Sequence, residues 1–226
     1  MCAKRQVSGV SYLLDPYHWD PTTDNNIPFL ITQHLWLTGV SLLLALVIAF
    51  PIALLVIRYA RWYTPVITTA SIIYTIPSFA AAGYLVTIVG LNPPAIVIPL
   101  VAYGQVVLIR NIVAAIRGVD PALVDVGRAM GMNSTQLLQR IILPLSLPVI
   151  VAGIRIVAVT TIGILTVSQA FGIPSLSTLI FIGFGLNRPA EVVAGAILVS
   201  VLAIVTDLLL LGIQQILNRG HRVITA

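Results

Sequence analysis

Three ionisable side chains, Arg110, Arg155 and Asp207, interrupt runs of otherwise apolar residues. A charge so placed is costly unless it meets a counter-charge, so it marks either a clamp between elements or part of a moving device. Asp207 is expected to pair with Arg155 or with Arg110, as an inter-helix clamp or as part of a gate. A second group surrounds Pro77: Tyr74, Ser78 and Phe79, with Tyr84 nearby. Proline inside a helix frees a carbonyl and kinks the chain. Aromatic rings beside such a break can line a pathway, attracting a cation through their quadrupoles, or can pack against neighbouring elements. A third group is the polar segment 118–146, which holds Asp120, Asp125, Arg128, Asn133, Ser134, Gln136, Gln139 and Arg140. No catalytic constellation emerges. His18, His34 and His221 are scattered without ligand or nucleophile partners and read as surface or interface residues. Cys2 is the single cysteine, and no zinc-ligand spacing exists, so no metal site is expected. A phosphate-binding loop needs a lysine, and the single lysine, Lys4, stands outside any such context.

The elements that must position these groups are set by composition. The chain has 226 residues, 58% hydrophobic and only 8% charged, with mean hydropathy +1.04. Soluble domains carry about 25% charge, so the solvent for most of this chain is lipid. The net charge of +5 does not point to nucleic acid, because the arginines are spread singly between apolar runs. Apolar runs predict about five membrane helices: 34–57, 63–89 (containing Pro77), 95–116, 147–171 and 190–217, each near the ~20 residues a bilayer requires. Leu91-Asn92-Pro93-Pro94 reads as a tight turn. Residues 172–189 are rich in Gly, Pro and Ser, and their apolar centre at 179–184 is too short to span, which predicts a re-entrant or interfacial turn. Residues 1–33 read as an extramembranous tail with a short surface helix near its end, and 218–226 as a second tail. No cleaved leader is read in the first residues. Placing 118–146 in the cytoplasm puts Arg58, Arg61, Arg117, Arg128, Arg140, Arg219 and Arg222 inside, as the arginine bias of membrane proteins requires. The amino terminus then lies outside, with Lys4 and Arg5 as exceptions far from the first span.

Segment 118–146 is too polar to cross a bilayer and too rich in structural signals for a plain loop. Asp120-Pro121 is a helix start: the carboxylate caps free amides and proline occupies the first helical position. The helix is expected to run to about Met130 and close at Gly131, which can adopt a left-handed conformation. Asn133 or Ser134 then caps a second short helix, Thr135 to Ile142, ending before Pro144. Two short helices joined at a glycine make a compact knob, either a structured connection or a docking surface for a cytoplasmic partner.

Asp125-Val126-Gly127-Arg128-Ala129-Met130-Gly131, nine residues, then Ile141-Ile142-Leu143-Pro144 resembles the coupling-loop signature of ATP-binding-cassette importer permeases. That pattern is Glu-Ala-Ala, three residues, Gly, nine residues, Ile, any residue, Leu-Pro. The spacing matches throughout. Asp125 replaces the glutamate and Val126-Gly127 the two alanines, and glycine should loosen this helix by about 1 kcal/mol relative to alanine. Tyr74-Thr75-Ile76-Pro77-Ser78, Ile109-Arg110-Asn111, 119–123, 147–155 and Phe181-Ile182-Gly183 are similar to the betaine/carnitine/choline branch. That branch usually carries Gly-Gly-Leu-Gly where this chain reads Gly172-Ile173-Pro174-Ser175-Leu176-Ser177. The resemblance covers about residues 34–217. It implies the all-α type I importer permease fold, in a bacterial cytoplasmic (inner) membrane. It assigns Asp125, Gly127, Arg128, Ala129, Gly131, Ile141, Leu143 and Pro144 to the surface coupled to an ATPase. It further implies a second permease chain, identical or different, an ATPase subunit holding ATP and Mg, and an extracytoplasmic substrate-binding protein. The chain itself would bind no cofactor and catalyse no reaction. The implied cargo is an osmoprotectant such as glycine betaine, carnitine or choline. An amino-acid permease, for methionine for example, would share this plan; an ATP-independent transporter or membrane scaffold is the other alternative.

Overall fold

The computed structural model describes residues 9–23 and 25–222. Expectations for Cys2, Lys4, Arg5 and Asp24, and for the side chains of Arg219, His221 and Arg222, fall outside the described residues. Among the described residues every regular element is helical: α1 Gly9–Leu13, α2 Ile27–Arg58, α3 Tyr63–Thr75, α4 Ser78–Val89, α5 Pro94–Arg117, α6 Pro121–Ala129, α7 Ser134–Leu137, α8 Leu143–Ile164, α9 Ser177–Gly185 and α10 Pro189–Arg222, with short 3-10 turns and one π-helical turn between them. Four stretches are long and apolar enough to cross a membrane, and α3 with α4 makes a fifth if that pair counts as one span.

The boundaries depart from expectation where local chemistry overrides hydropathy. Helix α2 begins at Ile27, seven residues before the expected start. The Phe29 amide donates to Asn26 Oδ1 at 2.8 Å, and Pro28 sits in the first turn, where a missing donor is harmless. The expected tail helix is α1, followed by a 3-10 turn over Pro16–Trp19, so it lies early in the tail rather than near its end. The expected kinked span 63–89 is a broken one. Helix α3 stops at Thr75, because proline disfavours helical geometry in the residue before it, Ile76, and Pro77 itself is extended (φ −58°, ψ 130°) at the start of α4. Helix α5 matches its prediction to within a residue at each end. The apolar centre at 179–184 forms α9, nine residues long, about 13 Å at ~1.5 Å per residue and far too short to span.

The described chain divides into two compact units: residues up to Ser41 with Ile76–Val101 and Val159–Val205, and Leu42–Thr75 with Ala102–Ala158 and the residues from Thr206 onward. In the first, Leu37, Ala82, Ile96, Val97, Leu100, Leu165 and Ile173 form one buried cluster, and Ile27, Leu30, Leu176 and Leu179 another. His34, expected at a surface or interface, is fully buried; its Nε2 donates to the Ile162 carbonyl at 3.2 Å. It heads a stripe with Thr38 and Ser41, also buried, on one face of α2 at helical spacing. The altered stretch 172–177 builds a polar knot. Ser168, Ser175 and Ser177 place their hydroxyl oxygens 2.8–3.1 Å apart, and Thr178 Oγ1 donates to Gln169 Oε1 at 2.7 Å. These buried hydroxyls pair with one another, as buried polar groups must find partners, and they pin the turn leading into α9. Helix α9 lies close against α10: a Cβ on Gly183 would stand 2.9 Å from the Val192 backbone nitrogen, and one on Gly195 3.0 Å from Leu179 Cβ.

Small residues do the same work in the second unit. A Cβ on Gly153 would meet Asn111 Cβ at 2.6 Å, and one on Gly104 would meet Ala45 and Val157 at 3.2 Å. In lipid no hydrophobic force drives helices together, so close approach at small residues supplies the packing energy.

Candidate functional site

The segment 118–146 folds as a tied knob. Asp120 Oδ1 accepts from the Ala122 amide at 2.8 Å, ahead of Pro121. At the other end of α6, Gly131 takes φ +80°. Its amide donates to the Arg128 carbonyl (2.9 Å) and the Met132 amide to the Gly127 carbonyl (3.1 Å), the paired bonds of a Schellman closure. Asn133, rather than Ser134, caps α7: its Oδ1 accepts from the Gln136 amide and its own amide donates to Gln136 Oε1, both at 2.9 Å.

The second arm does not end before Pro144. It passes through a π-helical turn over Leu138–Ile142 directly into α8, giving one helical stretch Ser134–Phe171. The Leu143 amide reaches back five residues to the Leu138 carbonyl. This wider turn accommodates Pro144, which has no donor and whose ring would crowd the carbonyl four residues earlier. The knob is thus continuous with a membrane helix.

Gly127 is buried, and a Cβ there would meet Ile141 Cδ1 at 2.5 Å and Leu137 Cδ2 at 2.6 Å. The expected loosening of α6 leaves out this contact: glycine lets the arm carrying Ile141 lie directly against α6. Arg128 Nη1 bonds Asp125 Oδ1 at 3.2 Å, with both side chains about two-thirds exposed; such a pair contributes little stability. Ala129 is exposed, and Leu143 and Pro144 are half-buried. Sequence reasoning passed over Leu123, Val126 and Met130, which are 40%, 57% and 71% exposed. Their spacing of three and four places them on one face of α6, and a heptad-style reading of this short polar segment could have found them.

The intramembrane charges separate into two sets. Arg155 Nε and Nη2 donate to Asp207 Oδ1 and Oδ2 at 2.9 and 2.8 Å, and Nη1 donates to Gln214 Oε1 at 2.8 Å. Both charged side chains are partly buried. A bidentate fork of this kind fixes angle as well as distance, so α8 and α10 are held in register. Arg110 is not in this cluster; its Nη2 donates to Ser71 Oγ of α3 at 3.2 Å. Gln214 and Ser71 were not singled out from the sequence, since neutral amides and hydroxyls carry no hydropathy signal.

Around the break at Pro77 the aromatics each use one contact. Tyr74 packs edge-on against Tyr103 (centroids 5.8 Å apart), and Phe79 lies tilted against Phe171 (4.9 Å). Tyr74 and Phe79 nonetheless remain 46% and 54% exposed, and Ser78 opens α4. No group of His, Cys, Asp and Glu able to hold a metal occurs among the described residues.

A helical membrane chain with a rigid exposed knob continuous with one of its spans has the build of a transporter's membrane subunit. The chain belongs to the family described as the binding-protein-dependent transport system inner membrane component, whose model matches residues 41–223; it is an ATP-binding-cassette importer permease. It is 32% identical over 210 residues to the osmoprotectant import permease protein OsmW of Salmonella typhimurium, covering 91% of this chain and 98% of that one. It is 36% identical over 187 residues to the carnitine transport permease protein OpuCD of Listeria monocytogenes, covering 82% and 84%. Its fold is similar to a solved chain of the MetNI methionine ABC transporter in an inward-facing conformation, with TM-score 0.71, 21% identity, and coverage of 86% of this chain and 99% of that one.

Proposed function

We propose that this permease imports a quaternary-ammonium osmoprotectant of the glycine betaine, carnitine or choline type. Relatives named for osmoprotectant and carnitine transport, at 32–36% identity, support that cargo, whereas the likeness to the methionine transporter rests on fold alone. Two permease chains form the pathway. ATP and Mg reside on separate ATPase subunits, and an extracytoplasmic binding protein delivers the solute. The knob faces the cytoplasm of a bacterial inner membrane, with the amino terminus outside and the carboxyl terminus inside.

The observation that carries the coupling role is the apolar face Leu123, Val126 and Met130 on a knob continuous with α8. Apolar side chains exposed outside the membrane favour burial in a partner groove. A groove that grips α6 moves α7, the π-helical turn and α8 together, because Gly127 and the Schellman closure leave no slack between them. In this scheme the Arg155–Asp207 fork keeps α8 and α10 moving as a pair, as part of the inward gate. Tyr74, Pro77, Ser78 and Phe79 line the pathway at the break between α3 and α4. The test is uptake of radiolabelled glycine betaine, choline, carnitine and methionine by cells that lack other importers and express the complete system. Uptake of the quaternary ammonium solutes supports the assignment; uptake of methionine alone overturns it.

A further inference from the structure

We propose that a pocket beside the first turn of α10 binds a small zwitterion bearing a methylated ammonium group. The pocket encloses about 520 Å³ and is lined by Tyr12, Tyr17, His18, Thr178, Arg188 and Glu191 among others, a volume in the range of ligand sites. Its walls are built, not incidental. A Cβ on Gly9 would stand 2.5 Å from Val193 Cγ1 and 3.1 Å from the Ala194 nitrogen, so α1 is pressed onto α10. Trp19 Nε1 donates to the Leu13 carbonyl at 2.8 Å and Asp15 Oδ1 accepts from the Tyr17 amide at 3.0 Å, which fixes the aromatic segment. Opposite, Asn187 takes φ +53°, and the Asn187 and Arg188 amides donate to the Phe184 and Gly183 carbonyls. This second Schellman closure sets Arg188 and Glu191 at the head of α10.

The lining chemistry selects the ligand. Glu191 Oε1 accepts from Arg188 Nη1 at 3.0 Å, with the carboxylate side chain 13% exposed and the arginine 59%. A negative and a positive group therefore stand side by side, the guanidinium with donors to spare. Tyr12 stacks on His18 (centroids 3.7 Å apart) and Tyr17 meets His18 edge-on (5.5 Å). Burial, with the Glu191 charge adding to it, pushes the Tyr12 hydroxyl above its ordinary range, so this ring stays neutral. A quaternary ammonium cannot donate hydrogen bonds; aromatic faces and a carboxylate are what can hold it. A carboxylate a few ångströms along the same ligand meets Arg188. The pocket lies on the extracytoplasmic side only if the topology under Proposed function holds, and it serves there as a receiving site for solute before entry; the inference rests on that reading.

The test is calorimetric titration of glycine betaine and choline into the assembled importer in nanodiscs, without the binding protein, alongside uptake by the same complex in proteoliposomes with the binding protein. Glu191→Gln and Tyr12→Leu are expected to weaken both probes about tenfold, and Tyr12→Phe to leave both within about twofold. Arg188→Gln is expected to weaken glycine betaine but not choline, which has no carboxylate. The proposal is overturned if the wild type binds neither probe, if no variant shifts affinity more than twofold, or if Arg188→Gln affects both probes equally. Uptake of glycine betaine with any of those results rejects the pocket and leaves the transport assignment standing. The expected binding pattern without uptake of either probe rejects the assignment and leaves the pocket standing.

Discussion

Replacing Met130 by alanine separates the docking role proposed for the exposed apolar face of α6 from the folding of that helix. The side chain is 71% exposed and lies at the helix end, so its removal leaves the knob's own packing intact. Full burial of a methionine contributes roughly 1.5–3 kcal/mol relative to exposure. Scaled by the exposed 71%, docking in a closed groove recovers about 1–2 kcal/mol from this residue, or about 5–30-fold in the dissociation constant for the ATPase. The assay is titration of purified ATPase subunit onto permease held in nanodiscs, read by fluorescence, with thermal unfolding checked in parallel. Ile204 is 59% exposed on α10, and its alanine variant supplies the control. The expectation is weakened ATPase binding for Met130→Ala, unchanged binding for Ile204→Ala, and unchanged unfolding temperature for Met130→Ala. Binding within twofold of wild type for Met130→Ala would refute the idea that this face is buried against the ATPase.

Other perturbations probe the devices that make the knob and spans rigid. Gly131→Ala adds a methyl that meets nothing within 4 Å but forces a side-chain-bearing residue to φ +80°; a cost of roughly 1–2 kcal/mol should appear as faster amide exchange at Met132. Gly183→Val should do more damage, because its Cβ would press on the Val192 backbone nitrogen, and a lower yield of folded protein in detergent is the readout. Asp207→Asn removes the charge that holds Arg155 and should reduce uptake several-fold. Replacing the pair together by Met and Leu should recover the unfolding temperature without recovering uptake if the pair also gates. Asp20 accepts from the Thr22 amide and from Thr22 Oγ1, which holds its carboxyl below the ordinary range, the backbone bond contributing most. Its stabilisation of the segment after Trp19 is therefore present above the ordinary carboxylate range and is lost as pH falls through the lowered value. Thr22→Ala should move the Asp20 titration, followed by NMR, partway back up.

Legibility from sequence varied with the kind of force at work. Caps and helix closures were readable because each depends on a few adjacent residues: Asp120-Pro121 capped α6 and Gly131 closed it as their chemistry demands, whereas apolar runs gave the number of spans better than their boundaries. The fork between Arg155 and Asp207 was half-readable. Charge burial required a partner, but residues 52 positions apart meet only through packing, so the choice against Arg110 needed the fold. The break at Pro77 and the passage through Pro144 had the same local signal, a proline in an apolar run, and opposite outcomes. A π-helical turn relieves the second, whereas nothing reconnects the first. Gly127 shows the opposite failure: intrinsic propensity read it as a weakness, while contact with Leu137 and Ile141 makes it a joint. The serine knot and the seating of α1 were unreadable because hydroxyl pairing and the pressing of Gly9 onto α10 are tertiary events.

ATP-driven transport by this permease requires transmission through the knob into the membrane. Its most direct test is glycine betaine uptake by proteoliposomes that contain this permease, its ATPase and its binding protein, with wild type compared to Gly131→Pro. Proline at 131 removes the amide that donates to the Arg128 carbonyl and forbids φ +80°. The expected result is ATP-dependent uptake by the wild type and, for the variant, inserted and assembled permease without ATP-driven uptake. Uptake that persists without ATP, or that survives Gly131→Pro undiminished, would contradict it.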